Sequence, residues 1–255
     1  MRQSLLMSLT LALVLGPKPQ ASQGTNLAAA QDDARAIIAR AITAFGGEQK
    51  LNQYQAGRSK NRGILNVMNG VPFTQEVCGQ LPGRFKEVMA IENNGIKNTV
   101  TKVFNGQQAW INVNGKTKEL DGPILKEMKE AAHMIRVNRL TTLNDRMYEL
   151  SLIGELKVDD RPVTGVRVSA RGFRDVNLYF YKDDGLLALV QHRTVDLLSG
   201  KELTEQRVIH EYRDVGGLKS PKKITVFREG KKLMDVEVVE VQFLERLDDS
   251  EFAKP

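Results

Sequence analysis

The 255-residue sequence holds three histidines and one cysteine, so any catalytic or metal-binding constellation must be built from few parts. His210-Glu211 opens like the H-E-x-x-H helix of a zinc protease, but the run HEYRD places Asp214 where the second histidine belongs. The run also carries a strand pattern, so two ligands there would not share a helical face. His133, His192 and His210 fall in separate elements and read as solvated or hydrogen-bonded structural side chains. Ser220-Pro221-Lys222-Lys223 spells S-x-x-K, yet it forms a turn leading into a strand, and the companion motifs of that enzyme class are missing. Cys78 lies on a strand pattern with no histidine nearby in sequence and reads as an inert thiol. The acidic pairs Asp159-Asp160, Asp183-Asp184 and Asp248-Asp249 sit at expected turns, where Asp is favoured for local hydrogen bonding. No G-x-S-x-G, P-loop or dinucleotide fingerprint occurs. These residues point away from an enzyme and call for no cofactor and no metal.

Charge and composition narrow the partners. Lys and Arg number 37 against 31 Asp and Glu, a formal charge of +6. The basic residues are interleaved with acids and lack stacked aromatic companions, which argues against nucleic acid. One cysteine excludes an intrachain disulfide framework. Residues 1–24 have the three parts of an export signal. Arg2 supplies the positive start, Leu5 to Leu15 (LLMSLTLALVL) the apolar run, and Ser22-Gln23-Gly24 the small residues of a cleavage site. This eleven-residue run is too short to span the roughly 30 Å core of a bilayer as a helix. Removing this segment deletes Arg2 and Lys18 and no acid, so the charge of the remaining chain is 6 − 2 = +4. The expectation is a periplasmic protein whose residues 25–255 form one domain, since no linker rich in Pro, Gly or Ser divides them.

The elements that would position any site are mostly strands. Asp32 to Phe45 reads as an amphipathic helix, with Ile37, Ile38, Ala41, Ile42 and Phe45 at helical spacing and Gly46-Gly47 as its stop. Pro123 to Leu140 reads as a second, capped by Asp121, with Leu125, Met128, Ala132 and Ile135 as its apolar stripe. Elsewhere Asn69-Gly70, Asn94-Gly95, Asn105-Gly106, Asn114-Gly115, Asp184-Gly185, Ser199-Gly200 and Glu229-Gly230 separate β-rich runs, as tight hairpin turns do. Tyr148, Leu150, Leu152, Leu156 and Val158 share one parity, and Val166, Val168 and Ala170 repeat the alternation. So do Val176, Leu178 and Phe180. This is the mark of antiparallel strands wet on one face. The pattern predicts a mainly β (α+β) protein, a curled antiparallel sheet of about eleven strands with two helices over its concave face. Two helices would fill that face incompletely and leave an apolar cavity.

Several segments, in order, resemble the LolA-like superfamily of periplasmic lipoprotein and lipid carriers. They are Phe45-Gly46-Gly47, the strand at Gly63-Ile64-Leu65, Leu81-Pro82-Gly83-Arg84-Phe85, Val103-Phe104-Asn105-Gly106 with Ala109-Trp110, and the ending Asp248 to Pro255. The resemblance spans nearly all of the chain after the signal. It implies an open β half-barrel with helices plugging the concave face, and a ligand site of apolar side chains. By strand parity and helix stripe the candidates are Leu65, Val67, Phe85, Phe104, Trp110, Met128, Ile135, Leu150, Leu152, Val168, Leu178 and Phe180. Each of these is also a residue that ordinary core packing would bury. Trp110 and the methionines suit a pocket for flexible chains best. In the family's lipoprotein carriers a basic residue directly precedes the Pro of Pro-x-x-Phe and helps govern closing of the cavity. Here that position is Leu81, with Arg84 three residues on. The departure tells against energy-coupled receipt of lipoproteins from a transporter and leaves general lipid binding intact. The expected role is a non-enzymatic, monomeric carrier of lipid or acylated lipoprotein, with room for an inner- or outer-membrane partner protein. The rivals are an envelope sensor or interaction module on the same fold, and a structural envelope protein with a filled core.

Overall fold

The structure, a computed structural model, describes residues 23–66, 70–93, 95–196 and 199–255. The expected signal segment therefore lies outside the described residues up to residue 22, and Val67 lies outside them too. Thirteen strands form one antiparallel sheet, two more than the alternation suggested. They are β1 (Ala56–Leu65), β2 (Val71–Gln80), β3 (Arg84–Asn93), β4 (Ile96–Phe104), β5 (Ala109–Val113), β6 (Lys116–Leu120), β7 (Tyr148–Val158), β8 (Arg161–Ala170), β9 (Val176–Tyr181), β10 (Leu187–Val195), β11 (Glu202–Val215), β12 (Leu218–Arg228) and β13 (Lys231–Leu244). The five-residue strand β6, KTKEL, carries no apolar alternation and pairs only because the Asn114-Gly115 turn folds it onto β5. Asn114 and Gly115 have φ of 50° and 87°, and Glu229-Gly230 repeats the geometry between β12 and β13.

The helices are α1 (Gln23–Ala44), α2 (Glu48–Gln53) and α3 (Gly122–Asn138). Helix α1 starts earlier than its apolar spacing suggests, and α3 matches its expected span closely. Pro123 stands in the first turn of α3 as anticipated, though Asp121 caps without a side-chain hydrogen bond. Strand order runs β6-β5-β4-β3-β2-β1-β13-β12-β11-β10-β9-β8-β7, so two meanders diverge from the β1–β13 seam and the sheet stays open, a curled half-barrel.

One face of the sheet is concave and carries the main core. There Ala34, Ile38, Ala41 and Ile42 of α1 pack with Leu150, Val166, Val168, Leu178, Phe180, Val190 and Leu218. Helix α3 bridges to this core through Met134 and Val137, and covers Phe85, Phe104, Ala109 and Leu120 with Met128 and Ala132. The convex face has two smaller clusters. Cys78, Val103 and Trp110 lie under the C-terminal Leu247 and Phe252. At the other end Val158, Val163, Tyr179, Tyr181, Ala188 and Leu189 pack together.

One parity expectation needs correction. The β7–β8 register shifts between Leu152 and Glu155, where Gly154 has φ of 90°, so the strand changes face. Leu150 joins the concave core while Val158 joins the convex cluster. A bulge inserts a residue, and every side chain beyond it flips.

Gly63 of β1 marks a close approach. A Cβ there would stand 1.9 Å from the Asp235 carbonyl oxygen of β13 and 2.8 Å from the Phe73 ring. Gly63→Ala should therefore destabilise the protein by about 2 kcal/mol, the scale of overpacking against backbone that cannot yield. A urea titration showing an unchanged midpoint would refute this reading of the seam.

Candidate functional site

The sheet ends that α3 must join are its two opposite edges, β6 and β7. The helix consequently crosses the concave face and roofs a cleft of about 510 Å3. That volume is within the roughly 300–1,000 Å3 of small-molecule sites. An apolar strip runs along the roof and near wall, formed by Ile124, Met128, Ala131, Met134 and Ile135 of α3 with Phe85 of β3 and Val176 of β9, beside Glu127, Glu130 and Asn138 of the same helix. The far wall is charged, which the sequence reading did not anticipate. Glu87 and Lys102 come from β3 and β4, His192 from β10, Glu205 and Arg207 from β11, and Arg228 from β12.

Each charged residue is placed by strand alternation. His192 has the parity of buried Val190, Glu205 and Arg207 that of Ile209, and Arg228 that of Val226. His192 and Glu205 are register partners across β10–β11, and Glu205 and Arg228 across β11–β12. The Glu205 side chain is only 6% exposed. Its Oε1 accepts from Arg207 Nε at 3.0 Å and an Arg207 terminal nitrogen at 2.9 Å, and its Oε2 from Arg228 Nε at 3.0 Å. Burial pushes this carboxyl up, but Arg207, helped by His192 and Arg228, outweighs burial and holds it below the usual carboxylate range. Burial, with Arg207 adding repulsion, pulls the His192 imidazole down to about 4. Its Nδ1 is buried without a hydrogen-bond partner among the described residues.

A second charged group holds the roof in place. Arg174, in the β8–β9 turn, donates to both carboxylate oxygens of Glu127 on α3 at 3.0 and 2.7 Å. Glu127 also accepts from the Val195 backbone N–H at 3.2 Å, and Glu130 from that of Arg174 at 3.2 Å. On the floor Gln75 bridges Asn61 and Glu87, and Glu87 accepts from Lys102, forming a polar row across β1 to β4.

The expected ligand residues divide into separate groups. Phe85, Met128 and Ile135 line the cleft. Phe104 packs behind them against α3. Leu150, Val168, Leu178 and Phe180 are sealed in the core beneath α1, and Leu152 is 39% exposed beside the bulge. Leu65 closes β1 opposite Val71. Trp110 faces the convex side, because it pairs with Val103 while its neighbour Ala109 pairs with Phe104. Arg84 also turns away from the cleft. It donates to Asp249 at 2.9 Å and lies 4.8 Å above the Phe252 ring, clamping the C-terminal turn. Ile124, Met134 and Val176 are cleft residues that the sequence reading passed over. Ile124 and Met134 each stand one residue before a member of the stripe, Leu125 and Ile135, so a wider apolar face on α3 would have included them.

Neither a protein-family model nor a curated protein sequence matches the chain. Solved structures do. A putative outer membrane lipoprotein-sorting protein domain from Vibrio parahaemolyticus superposes with a TM-score of 0.55 at 11% identity, over 90% of this chain and 98% of that one. The LolA superfamily protein NE2245 from Nitrosomonas europaea gives 0.53 at 12% identity, over 87% and 97%. The fold is LolA-like. A DUF1329 family protein from Desulfovibrio piger ATCC 29098 also shares it, with a TM-score of 0.53 at 13% identity over 86% and 97% of the two chains. The LolA-like half-barrel therefore accounts for the open sheet and for a helix laid across its concave face.

His133 on α3 shows how tightly the roof is seated. Its ring stacks on Phe173 with centroids 4.0 Å apart and on Tyr148 at 5.7 Å, and both ring nitrogens are buried without partners among the described residues. Burial, then Arg136, lowers this imidazole to about 4. An unfolded histidine titrates near 6.5, so between about pH 6.5 and 4 the unfolded chain binds more protons than the native one. Stability should accordingly fall as pH drops through that window. His133→Phe keeps the stack, removes two unsatisfied nitrogens, and should stabilise by about 1 kcal/mol while flattening the pH dependence. Urea midpoints at neutral and mildly acidic pH test both points, and an unaltered slope would contradict the assignment.

Proposed function

We propose that the protein is a non-enzymatic periplasmic carrier or binder of lipid or lipoprotein acyl chains, exported by residues 1–24 and working as a monomer of one domain, 25–255. The observation that carries this reading is the cleft between α3 and the sheet, with its apolar strip of Phe85, Ile124, Met128, Met134, Ile135 and Val176. Each methylene removed from water there contributes about 0.8 kcal/mol, so a single chain can be retained yet exchanged. Methionines at two of the six positions let the wall adapt to chains of different shape. Such cargo agrees with the likeness to the Vibrio lipoprotein-sorting protein domain, and the LolA-like fold supports a carrier rather than a catalyst. A membrane partner would deliver or receive the cargo at the open rim. Nucleic acid is not among the expected partners.

Native mass spectrometry of the purified protein, followed by solvent extraction, should reveal bound acyl lipid. The delipidated protein should take up added phospholipid or an acylated peptide. Ile135→Gln should weaken uptake about tenfold or more, given the scale of one buried aliphatic side chain. Trp110→Phe, on the opposite face, should leave uptake unchanged. A protein that is isolated lipid-free and ignores both ligands would turn the reading to a filled structural protein or an interaction module.

A further inference from the structure

The cleft has an apolar wall and a charged pole, and a pure hydrocarbon would satisfy only the first. Glu205, Arg207 and Arg228 carry two positive charges and one negative, a surplus of one cation. Glu205 is buried, whereas the Arg207 and Arg228 side chains are 45% and 39% exposed toward the opening. The carboxylate takes up Nε and one terminal nitrogen of Arg207, and only Nε of Arg228. One terminal nitrogen of Arg207 and both of Arg228 are thus donors that Glu205 does not occupy. His192 stands next in the same cross-strand row and adds a buried ring nitrogen with no partner among the described residues.

The excess is local: over the whole lining five cations (Lys102, Arg174, Arg193, Arg207 and Arg228) face five acids (Glu87, Glu127, Glu130, Asp196 and Glu205), and only the Glu205 row is cationic. Glu87 is matched by Lys102, Glu127 by Arg174, and Glu202 by Arg193 and Arg174. Planar guanidinium forks with free terminal nitrogens suit phosphate and carboxylate oxygens, which accept in pairs. The fixed Glu205 sets the orientation of both forks before any ligand arrives. Its burial also keeps their charge in surroundings that screen it less than bulk water does.

We propose that this pole is the head-binding subsite of the cleft, recognising a phosphate or carboxylate on an amphiphile whose tail lies along α3. The tail part rests on the carrier reading above; the head part rests on the Glu205 row alone. Arg228 and Arg207 supply the charge-assisted donors, and neutral His192 a further ring N–H or acceptor. A ligand with a neutral sugar head would leave the surplus cation unmatched.

Isothermal titration calorimetry of the delipidated full-length protein tests this with dodecyl phosphate, dodecyl maltoside and inorganic phosphate, the detergents kept below micelle formation. Dodecyl phosphate should bind at least about tenfold more tightly than the maltoside, with the advantage shrinking as salt rises. Arg228→Gln leaves Arg207 to neutralise Glu205, so it should abolish that advantage while maltoside binding, the check on folding, persists. Glu205→Gln keeps an amide oxygen to orient the guanidinium groups but removes their counter-charge, and should enlarge it. Equal affinities for the two detergents would overturn the head subsite and leave the carrier reading standing. Inorganic phosphate binding as tightly as dodecyl phosphate would overturn the amphiphile and assign the pole to a soluble anion. If neither detergent binds, the carrier reading fails and the proposal fails with it.

Discussion

Pairing of β1 with β13 brings the first strand after the N-terminal helices beside the last, over ten residues of register. Everything else in the architecture follows from that seam. The remaining strands must then add outward in two meanders, which leaves β6 and β7 at opposite edges. A chain leaving β6 has to reach β7 across the open side. Helix α3, 17 residues and so about 25 Å long, is the element that makes the crossing. A roofed cleft is thus a consequence of topology before any side chain is considered. Side chains decide only how much of the space beneath the roof is filled. Helix α1 fills the β7–β10 part completely, and α3 leaves the part toward β11 and β12 open.

The charged pole costs the fold something. A carboxylate buried between two guanidinium groups gives up hydration that mutual attraction repays only in part, and apolar residues of similar volume often serve stability as well. Two residues along the same strands, Val190, Ile209 and Val226 are buried and apolar. The polarity of the next row is therefore no requirement of sheet formation. The Glu127–Arg174 pair differs, since with the His133–Phe173 stack it ties α3 to the β8–β9 turn and fixes where the roof sits.

Legibility in the sequence followed the range of the physical signal. Turns with positive φ depend on one or two adjacent residues, and the glycine of each of the seven pairs has positive φ and stands between consecutive strands. The α3 stripe repeats over about three turns and marks Met128 and Ile135 correctly as inward residues. Strand parity is a weaker guide, because a single inserted residue reverses it. That is how Val158 came to the convex face. Trp110 needs no insertion: plain alternation sets it opposite Val103, on the side away from α3. The charged wall was hidden by a different bias. His192, Glu205, Arg207 and Arg228 already had inward parity, but polar residues on a strand are read by default as facing water. A closed cluster of opposite charges on three neighbouring strands can turn that default around.

The two halves of the sheet differ in what their concave sides carry. Strands β8 to β10 are packed on both faces, by α1 on one side and by the Tyr179–Leu189 cluster on the other. Bending them would open two apolar interfaces at once. Strands β1 to β4 carry, on their concave side, the row Asn61, Gln75, Glu87 and Lys102, whose hydrogen bonds water can replace at small net cost. The polar row of β1 to β4 therefore resists rearrangement less than the α1 core does, although α3 covers Phe85 and Phe104 beside it and Leu247 and Phe252 back the same strands on the convex side.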